Sequence, residues 1–393
     1  MAVSPEHPIP PLSGPRRAWQ HIKAVLKRSP RLVRLVRAAR AQKVPLRWLA
    51  GALKQRAVDV PHQLRAVARG AYLAGRLWFP VTPLRRRSGR SRVLIALIEH
   101  LGDLVACQPV AREVRRQHPA AQIIWVVRPE YQELVCAFPE VDATLAVECL
   151  TEWMVVKFLG DYDRAIDLHL RERYCLRCRV PLRKTIGDPR VTMETYFDHG
   201  SLLQAMSKGA GIPITDDRSE VAIPATVLAR VERLCLPAEY VVVHGISNLA
   251  SKDWDAAKWR VLVERILEET AWSVVEVGLR TVLPGFAHPR FVGLCGQQTI
   301  LEMAAVVRRA RLFIGIDSGP AHLANAFDVP GVVLLGRYNQ FQRPLPYSGG
   351  YARGNAELVR ALPGELPVTI PVEWVWQAVR RRWIEAARPS RAA

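Results

Sequence analysis

Residues 311–336, R-L-F-I-G-I-D-S-G-P-A-H-L-A-N-A-F-D-V-P-G-V-V-L-L-G, read as a buried strand, a tight turn, a short helix and a second buried strand. The apolar run 312–316 is too short for a helix and ends in turn chemistry. Asp317-Ser318-Gly319-Pro320 then opens a helix over 321–327. Asp or Ser caps free backbone N–H groups, Gly319 admits close approach of the backbone to a ligand, and Pro320 suits a first helical position. A helix N-terminus at the carboxyl end of a strand is a place for a phosphate. The same residues also make an ordinary, well-capped strand-to-helix turn, so their chemistry depends on their company.

Working outward, the pattern repeats on both sides. Upstream in the same array stand a strand at 240–244, a helix at 257–270, a strand at 272–277 and a helix at 300–310. Downstream, 372–387 reads as a closing amphipathic helix with Trp374, Val375, Val379 and Trp383 on its apolar face. An earlier array begins with the continuous apolar run 92–98, expected of a buried parallel strand. It continues through a turn at 99–103 containing Gly102, a helix at 110–118, a strand at 122–127, a helix-like 131–138 and a strand at 164–168. Two βαβ arrays in succession predict an α/β chain of two Rossmann-like lobes facing a cleft, and the cleft is the expected site. Two-lobe nucleotide-sugar transferases use this architecture. The first lobe is placed at 91–224 and the second at 225–393.

The 393 residues carry a net charge of +20, unevenly distributed. Residues 1–90 hold 20 Lys/Arg and 2 Asp/Glu, leaving 36 and 34 for the remainder, so the globular part is nearly neutral. The basic extension 1–90 suggests an anionic surface, acidic lipid or nucleic acid. Within 16–78, apolar residues recur near helical spacing between Arg and Lys, and Pro30, Pro45 and Pro61 are expected to cut the stretch into separate helices. Trp19, Trp48, Trp78 and Phe79 on such helices match a segment lying in a membrane interface, against the alternative of an arm packed on the protein's own body. Residues 85–90 read as an exposed basic linker. No run of about 18 apolar residues occurs, and the first residues lack the layout of a secretory signal. The seven scattered cysteines suggest reduced thiols in the cytoplasm. Cys175 and Cys178 form a lone C-x-x-C, with no second pair or His-x-x-x-His to complete a zinc site.

Three groups of residues invite a chemical reading. Asp103 ends the first strand-turn unit, where a carboxylate points into the cleft as a general base, or caps the next helix. Lys252, in the loop after 240–244, can neutralise a leaving diphosphate or be a solvated lysine, with Trp254 packing the loop. Arg171, Arg173, Arg177, Arg179, Arg183 and Lys184 can receive the anionic groups of an acceptor or be solvated surface. Asp161-Tyr162-Asp163 is read as a turn rather than a metal-chelating D-x-D. No G-x-G-x-x-G, G-x-x-x-x-G-K-[ST] or H-E-x-x-H occurs, which argues against dehydrogenase, P-loop and zincin readings.

Three segments together resemble glycosyltransferase family 9, the ADP-heptose:lipopolysaccharide heptosyltransferases. V-L-I-A-L-I-E-H-L-G-D-L-V-A-C-Q-P-V at 93–110 resembles the family's opening strand, G-D turn and proline-bearing helix. S-K-D-W at 251–254 resembles its S-K-x-W loop, and I-G-I-D-S-G-P-A-H-L-A-N-A at 314–326 its D-[ST]-G-x-x-H-[LI]-x-A signature. The resemblance covers about residues 91–340. It implies a GT-B fold and a metal-independent, inverting transfer from a nucleotide-activated sugar, with no cofactor. It puts Asp103 on the family's base and Lys252 on the lysine that contacts the donor phosphates. Asp317, Ser318, Gly319 and His322 fall on the donor-binding turn, and Ser247 lies near the family's small hydroxyl residue in the loop of Lys252. The implied partners are a nucleotide-sugar donor and an anionic glycolipid or glycan of the cell envelope, with the extension on the cytoplasmic face of the inner membrane. Another nucleotide sugar, a protein acceptor or a catalytically silent scaffold are the alternatives. The chain departs from the family at Arg337-Tyr338-Asn339, where G-P-T is usual, at Gly278-Leu279-Arg280, which lacks acidic residues, and at 167–173, where D-L-H-L-R-E-R replaces D-L-Q-G.

Overall fold

The computed structural model describes residues 46–78, 84 and 90–387, so Pro30, Pro45 and the linker at 85–89 lie outside the described residues. By compactness the chain divides into two units, Met1–His62 and Gln63–Ala393. Within the second unit four short apolar runs form one parallel sheet: β1 (Arg92–Ala96), β2 (Gln122–Val127), β3 (Ala143–Ala146) and β4 (Arg164–Asp167), in the order β3-β2-β1-β4. Every residue of β1 and β2 is buried, as helices on both faces require. A two-residue hairpin, β5 (Tyr174–Cys175) with β6 (Val180–Pro181), follows β4. The second sheet holds β7 (Tyr240–His244), β8 (Ser273–Glu276), β9 (Phe291–Gly293), β10 (Leu312–Ile316), β11 (Gly331–Leu335) and β12 (Ala356–Arg360). It is parallel throughout, in the order β12-β11-β10-β7-β8-β9.

The strand orders locate the site before any side chain is considered. In the second sheet the chain runs outward from β7 through β8 to β9, then restarts at β10 and runs the other way. The order therefore reverses between β7 and β10, which are hydrogen-bonded neighbours. In the first sheet it reverses between β1 and β4. Crevices open where neighbouring strands send their connections to opposite sides, at the carboxyl ends. Those ends carry the segments after His244, Ile316 and Ala96.

Several sequence expectations are corrected. The turn expected at 99–103 is shorter, because a helix, Leu101–Cys107, begins before Asp103, and a second starts at Pro109. Pro61 does not end a helix but lies inside Leu46–Trp78. It lacks the N–H that would reach Ala57 and crowds that carbonyl. Burial of Ala66, Leu73 and Leu77 against Leu94, Val126 and Trp153 supports the helix beyond it. Residues from Gln63 onward thus belong to the first lobe's packing, although the sequence assigned them to the extension. On the closing helix Val372–Ala387, Val375, Val379 and Trp383 pack inward as expected, whereas Trp374 is exposed and Trp376 is buried beside them. β3 and the helix Leu150–Leu159 have no counterpart in the sequence reading, since A-T-L-A is a weak strand signal at a sheet edge.

Asp161 and Asp163 are structural, as the turn reading required. The fully buried Arg92 guanidinium donates to the carbonyls of Leu77, Leu84 and Asp161 and to the Asp161 carboxylate, while its N–H meets Asp163 at 2.6 Å. Among the described residues, no helix is long and apolar enough to cross a membrane.

Candidate active site

The connections after β1, β7 and β10 converge on a cleft of about 800 Å³. Asp103, Ser247, Lys252, Asp317, Ser318, Gly319 and His322 all line it. Its floor is the meeting of two helix N-termini, Leu101–Cys107 from the first lobe and Gly319–Ala326 from the second. Two glycines allow this approach. A Cβ at Gly102 would lie 2.8 Å from His322 Cδ2, and one at Gly319 only 2.3 Å from Leu101 Cδ2. No side chain caps the helix Gly319–Ala326, and the Ser318 hydroxyl instead donates back to the Ile316 carbonyl at 3.1 Å. The positive end of its dipole and Gly319 therefore face the cleft, while Pro320 has no N–H and those of Ala321 and His322 turn back to the Ser318 carbonyl at 3.1 and 3.3 Å.

Lys252 ends a 3₁₀ turn, Ala250–Lys252, and its Nζ donates to Asp317 Oδ2 at 2.8 Å and to the Asp317 carbonyl at 3.3 Å. Tyr347 donates to Asp317 Oδ1 at 2.8 Å, and the Lys252 ammonium sits 4.8 Å from the Tyr338 ring. Burial alone would raise the Asp317 pKa, but Lys252, His322 and the hydrogen bonds bring it down to about 2. Burial alone would lower Lys252, and Asp317 more than reverses that. At His322 burial prevails and the pKa falls below its ordinary 6.5, so the ring is neutral at neutral pH. Asp103 stands at the third position of its helix, half-buried, with Oδ2 accepting the His100 N–H at 2.9 Å. The capping alternative is thus partly realised, at a helix start that also faces the cleft.

The sequence model of glycosyltransferase family 9 (heptosyltransferase) matches residues 206–350. Lipopolysaccharide heptosyltransferase 3 of Escherichia coli is 31% identical over 283 residues, which cover 62% of this chain and 83% of that protein. This chain belongs to glycosyltransferase family 9. Lipopolysaccharide heptosyltransferase 1 of Pseudomonas aeruginosa is 25% identical over 322 residues, covering 69% of this chain and 84% of its own length. The solved structure of E. coli ADP-heptose lipopolysaccharide heptosyltransferase II aligns with a TM-score of 0.56 at 14% identity, over 76% of this chain and 100% of that one. The two parallel sheets facing a cleft are thus the GT-B fold, and the chain is a glycosyltransferase.

Within this family 9 fold the expected donor-side residues gather at one place, whereas the basic stretch after β4 does not. Arg177 pairs with Glu148 at 2.6 Å, and Arg171 donates to the carbonyls of Lys184, Ile186 and Gly187. Arg173 reaches Glu99 at 2.6 Å, and none of the three lines the cleft. Ser247 lines it, but its hydroxyl is committed to the Leu249 carbonyl and Asp253. Sequence reasoning missed the aromatic residues. Tyr347 holds Asp317, Tyr338 covers Lys252, and Phe341 stacks on Phe197 of the first lobe at 3.7 Å while meeting Tyr196 edge-on at 5.2 Å. The only available signal was the departure from G-P-T at 337–347, a run of aromatic and proline residues.

Proposed function

We propose that the chain is an inverting, metal-independent glycosyltransferase that moves heptose from ADP-heptose to a lipopolysaccharide-core or related envelope glycan. The observation that carries this reading is the convergence, in one cleft, of a carboxylate from the first lobe with a lysine and a helix N-terminus from the second. The second lobe (225–393) takes the donor and the first (91–224) presents the acceptor. Heptose and ADP rest on the relatives, a lipopolysaccharide heptosyltransferase and an ADP-heptose heptosyltransferase.

In this reading one Asp103 oxygen stays on the His100 N–H and the other takes the proton of the acceptor hydroxyl. That hydroxyl oxygen attacks the anomeric carbon from the face opposite the diphosphate. The bond from that carbon to the phosphate oxygen breaks, ADP departs with the electron pair, and the configuration inverts once. Lys252 and the positive end of the helix Gly319–Ala326, with the Gly319 N–H, stabilise the departing charge, the task a metal ion performs in other transferases. Asp317 holds the lysine in place, and Tyr347 holds Asp317. Tyr131, Tyr196 and Phe197 give the first lobe an aromatic wall for an acceptor sugar. Contact with the cytoplasmic face of the inner membrane, expected of residues 16–90, is supported by the exposed Leu64, Val67, Tyr72 and Trp78 with the exposed Arg65 among them.

The test is calorimetric titration with ADP, UDP, GDP and CMP without added metal, followed by turnover with ADP-heptose. ADP binding is expected to weaken in Lys252→Ala and Asp317→Ala. Asp103→Asn is expected to bind ADP normally and to lose turnover by about 10²–10⁴-fold. Preference for UDP or GDP would discard heptose, and binding of no nucleotide would leave a silent scaffold.

A further inference from the structure

The lone C-x-x-C of the sequence has a third member in the fold. Cys149 stands at the N-cap of the helix Leu150–Leu159, Cys175 on β5, and Cys178 in the turn of the β5–β6 hairpin. All three are buried, and their sulfurs lie within 4.8 Å of one another. Cys149 and Cys178 Sγ are 3.9 Å apart. Zinc–sulfur bonds of about 2.3 Å at tetrahedral angles give a sulfur–sulfur edge of about 3.8 Å, whereas a disulfide is about 2.05 Å long.

The surroundings suit metal-bound thiolates as well. The backbone N–H groups of Cys178 and Thr151 point at the Cys175 sulfur, and that of Glu152 at Cys149. The buried Thr151 hydroxyl makes no hydrogen bond and lies beside Cys175 and Cys178. The turn is tight: Arg179 adopts φ 56°, and its N–H closes onto the Cys175 carbonyl at 2.8 Å. Arg177 and Arg69 pair with Glu148, and Arg69 also with Glu152, so this ion-pair group ties the hairpin to the start of the helix Leu150–Leu159. Backbone N–H donors are the supporting shell that thiolate metal sites use.

We propose that Cys149, Cys175 and Cys178 bind one thiophilic divalent ion, zinc, with an oxygen ligand in the fourth position. Binding releases the thiol protons to solvent and joins the hairpin to the start of the helix Leu150–Leu159. None of the three cysteines lines the cleft, so the ion is structural and the transfer chemistry does not pass through it. Its effect on the site is indirect: the hairpin carries Arg173, which holds Glu99 immediately beyond β1.

The test is elemental analysis of the full chain purified without chelators, with the thiols counted in parallel. About one zinc per chain is expected, with trace amounts in Cys149→Ser, Cys175→Ser and Cys178→Ser and an unchanged content in Cys136→Ser and Cys235→Ser, whose thiols are exposed. Because the serine variants can fail to fold, the wild-type protein supplies the second measurement. Cobalt exchanged into it should give sulfur-to-cobalt charge-transfer absorption, and a mercurial titrant should release zinc as three thiols react. A chain with no metal above trace and no cobalt band would overturn the proposal. So would five titratable thiols under denaturing conditions instead of all seven, since two would then be in a disulfide.

Discussion

At the residue scale, the site is a chain of charge compensations. Lys252 keeps Asp317 ionised despite burial, and Tyr347 fixes the other carboxylate oxygen. Because the folded pKa of Asp317, about 2, lies below its ordinary 3.8, its contribution to stability is complete above about pH 4 and is lost as the pH falls toward 2. The difference in unfolding free energy between wild type and Asp317→Asn should therefore be flat from about pH 7 to 5 and shrink below about 4. Denaturant melts across that range check it, and a decline already complete by pH 5 would show that the pair titrates elsewhere. A second compensation explains one departure from the family. His169 accepts the Ile98 N–H at 2.8 Å through Nε2 and meets Asp167 at 2.8 Å through Nδ1, so D-L-H-L fastens the segment that leads from β1 to Asp103. The role of His169 was illegible in the sequence because its partner is a backbone group 71 residues away.

At the scale of elements, two helices meet at their first turns because each carries a glycine there, Gly102 and Gly319. The sequence reading placed Gly319 beside a ligand; in the structure it lines the cleft, and its missing Cβ also makes room for Leu101. Gly319→Ala would place a methyl group 2.3 Å from Leu101 Cδ2 and push the helix of Asp103 away from Lys252. A displacement near 1 Å between reacting groups costs about 10²-fold in rate. We expect Gly319→Ala to lower kcat/KM by that order while the fold survives, with circular dichroism unchanged and steady-state kinetics as the readout. Retention of full activity would mean that Leu101 moves aside freely. The strands β7, β10 and the helix Val372–Ala387 were legible to the residue, since each is a short, sharply bounded apolar run or a strong amphipathic pattern. The orientation of Trp374 and Trp376 was not, because the partner surface selects the buried face.

At the scale of the molecule, the lobes are joined by more than the chain between them. One apolar cluster runs from the first sheet through the helices Leu202–Ala210 and Ala225–Glu232 to Ala304 and Leu323 of the second lobe. Across the cleft, Phe341 stacks on Phe197, and Arg343 donates to the Phe197 carbonyl and Asp198 at 2.9 and 2.8 Å. A stacked aromatic pair contributes about 0.5–1.5 kcal/mol beyond its buried area. Phe341→Ala should accordingly speed nucleotide release about 3- to 10-fold, measured by stopped flow, with little change in kcat if chemistry is slower than release. An unchanged release rate would show that this contact does not hold the lobes over the donor. The sequence alone determined the two βαβ arrays, the loops that bear Asp103, Lys252 and Asp317, and the uneven charge, because strand periodicity, turn chemistry and composition are local properties. Only the tertiary structure decided that Arg171 and Arg177 turn to backbone and carboxylate partners, that Tyr338 and Tyr347 complete the site, and that Cys149 joins Cys175 and Cys178. Those outcomes are contacts between residues distant in the chain, fixed by packing rather than by local pattern.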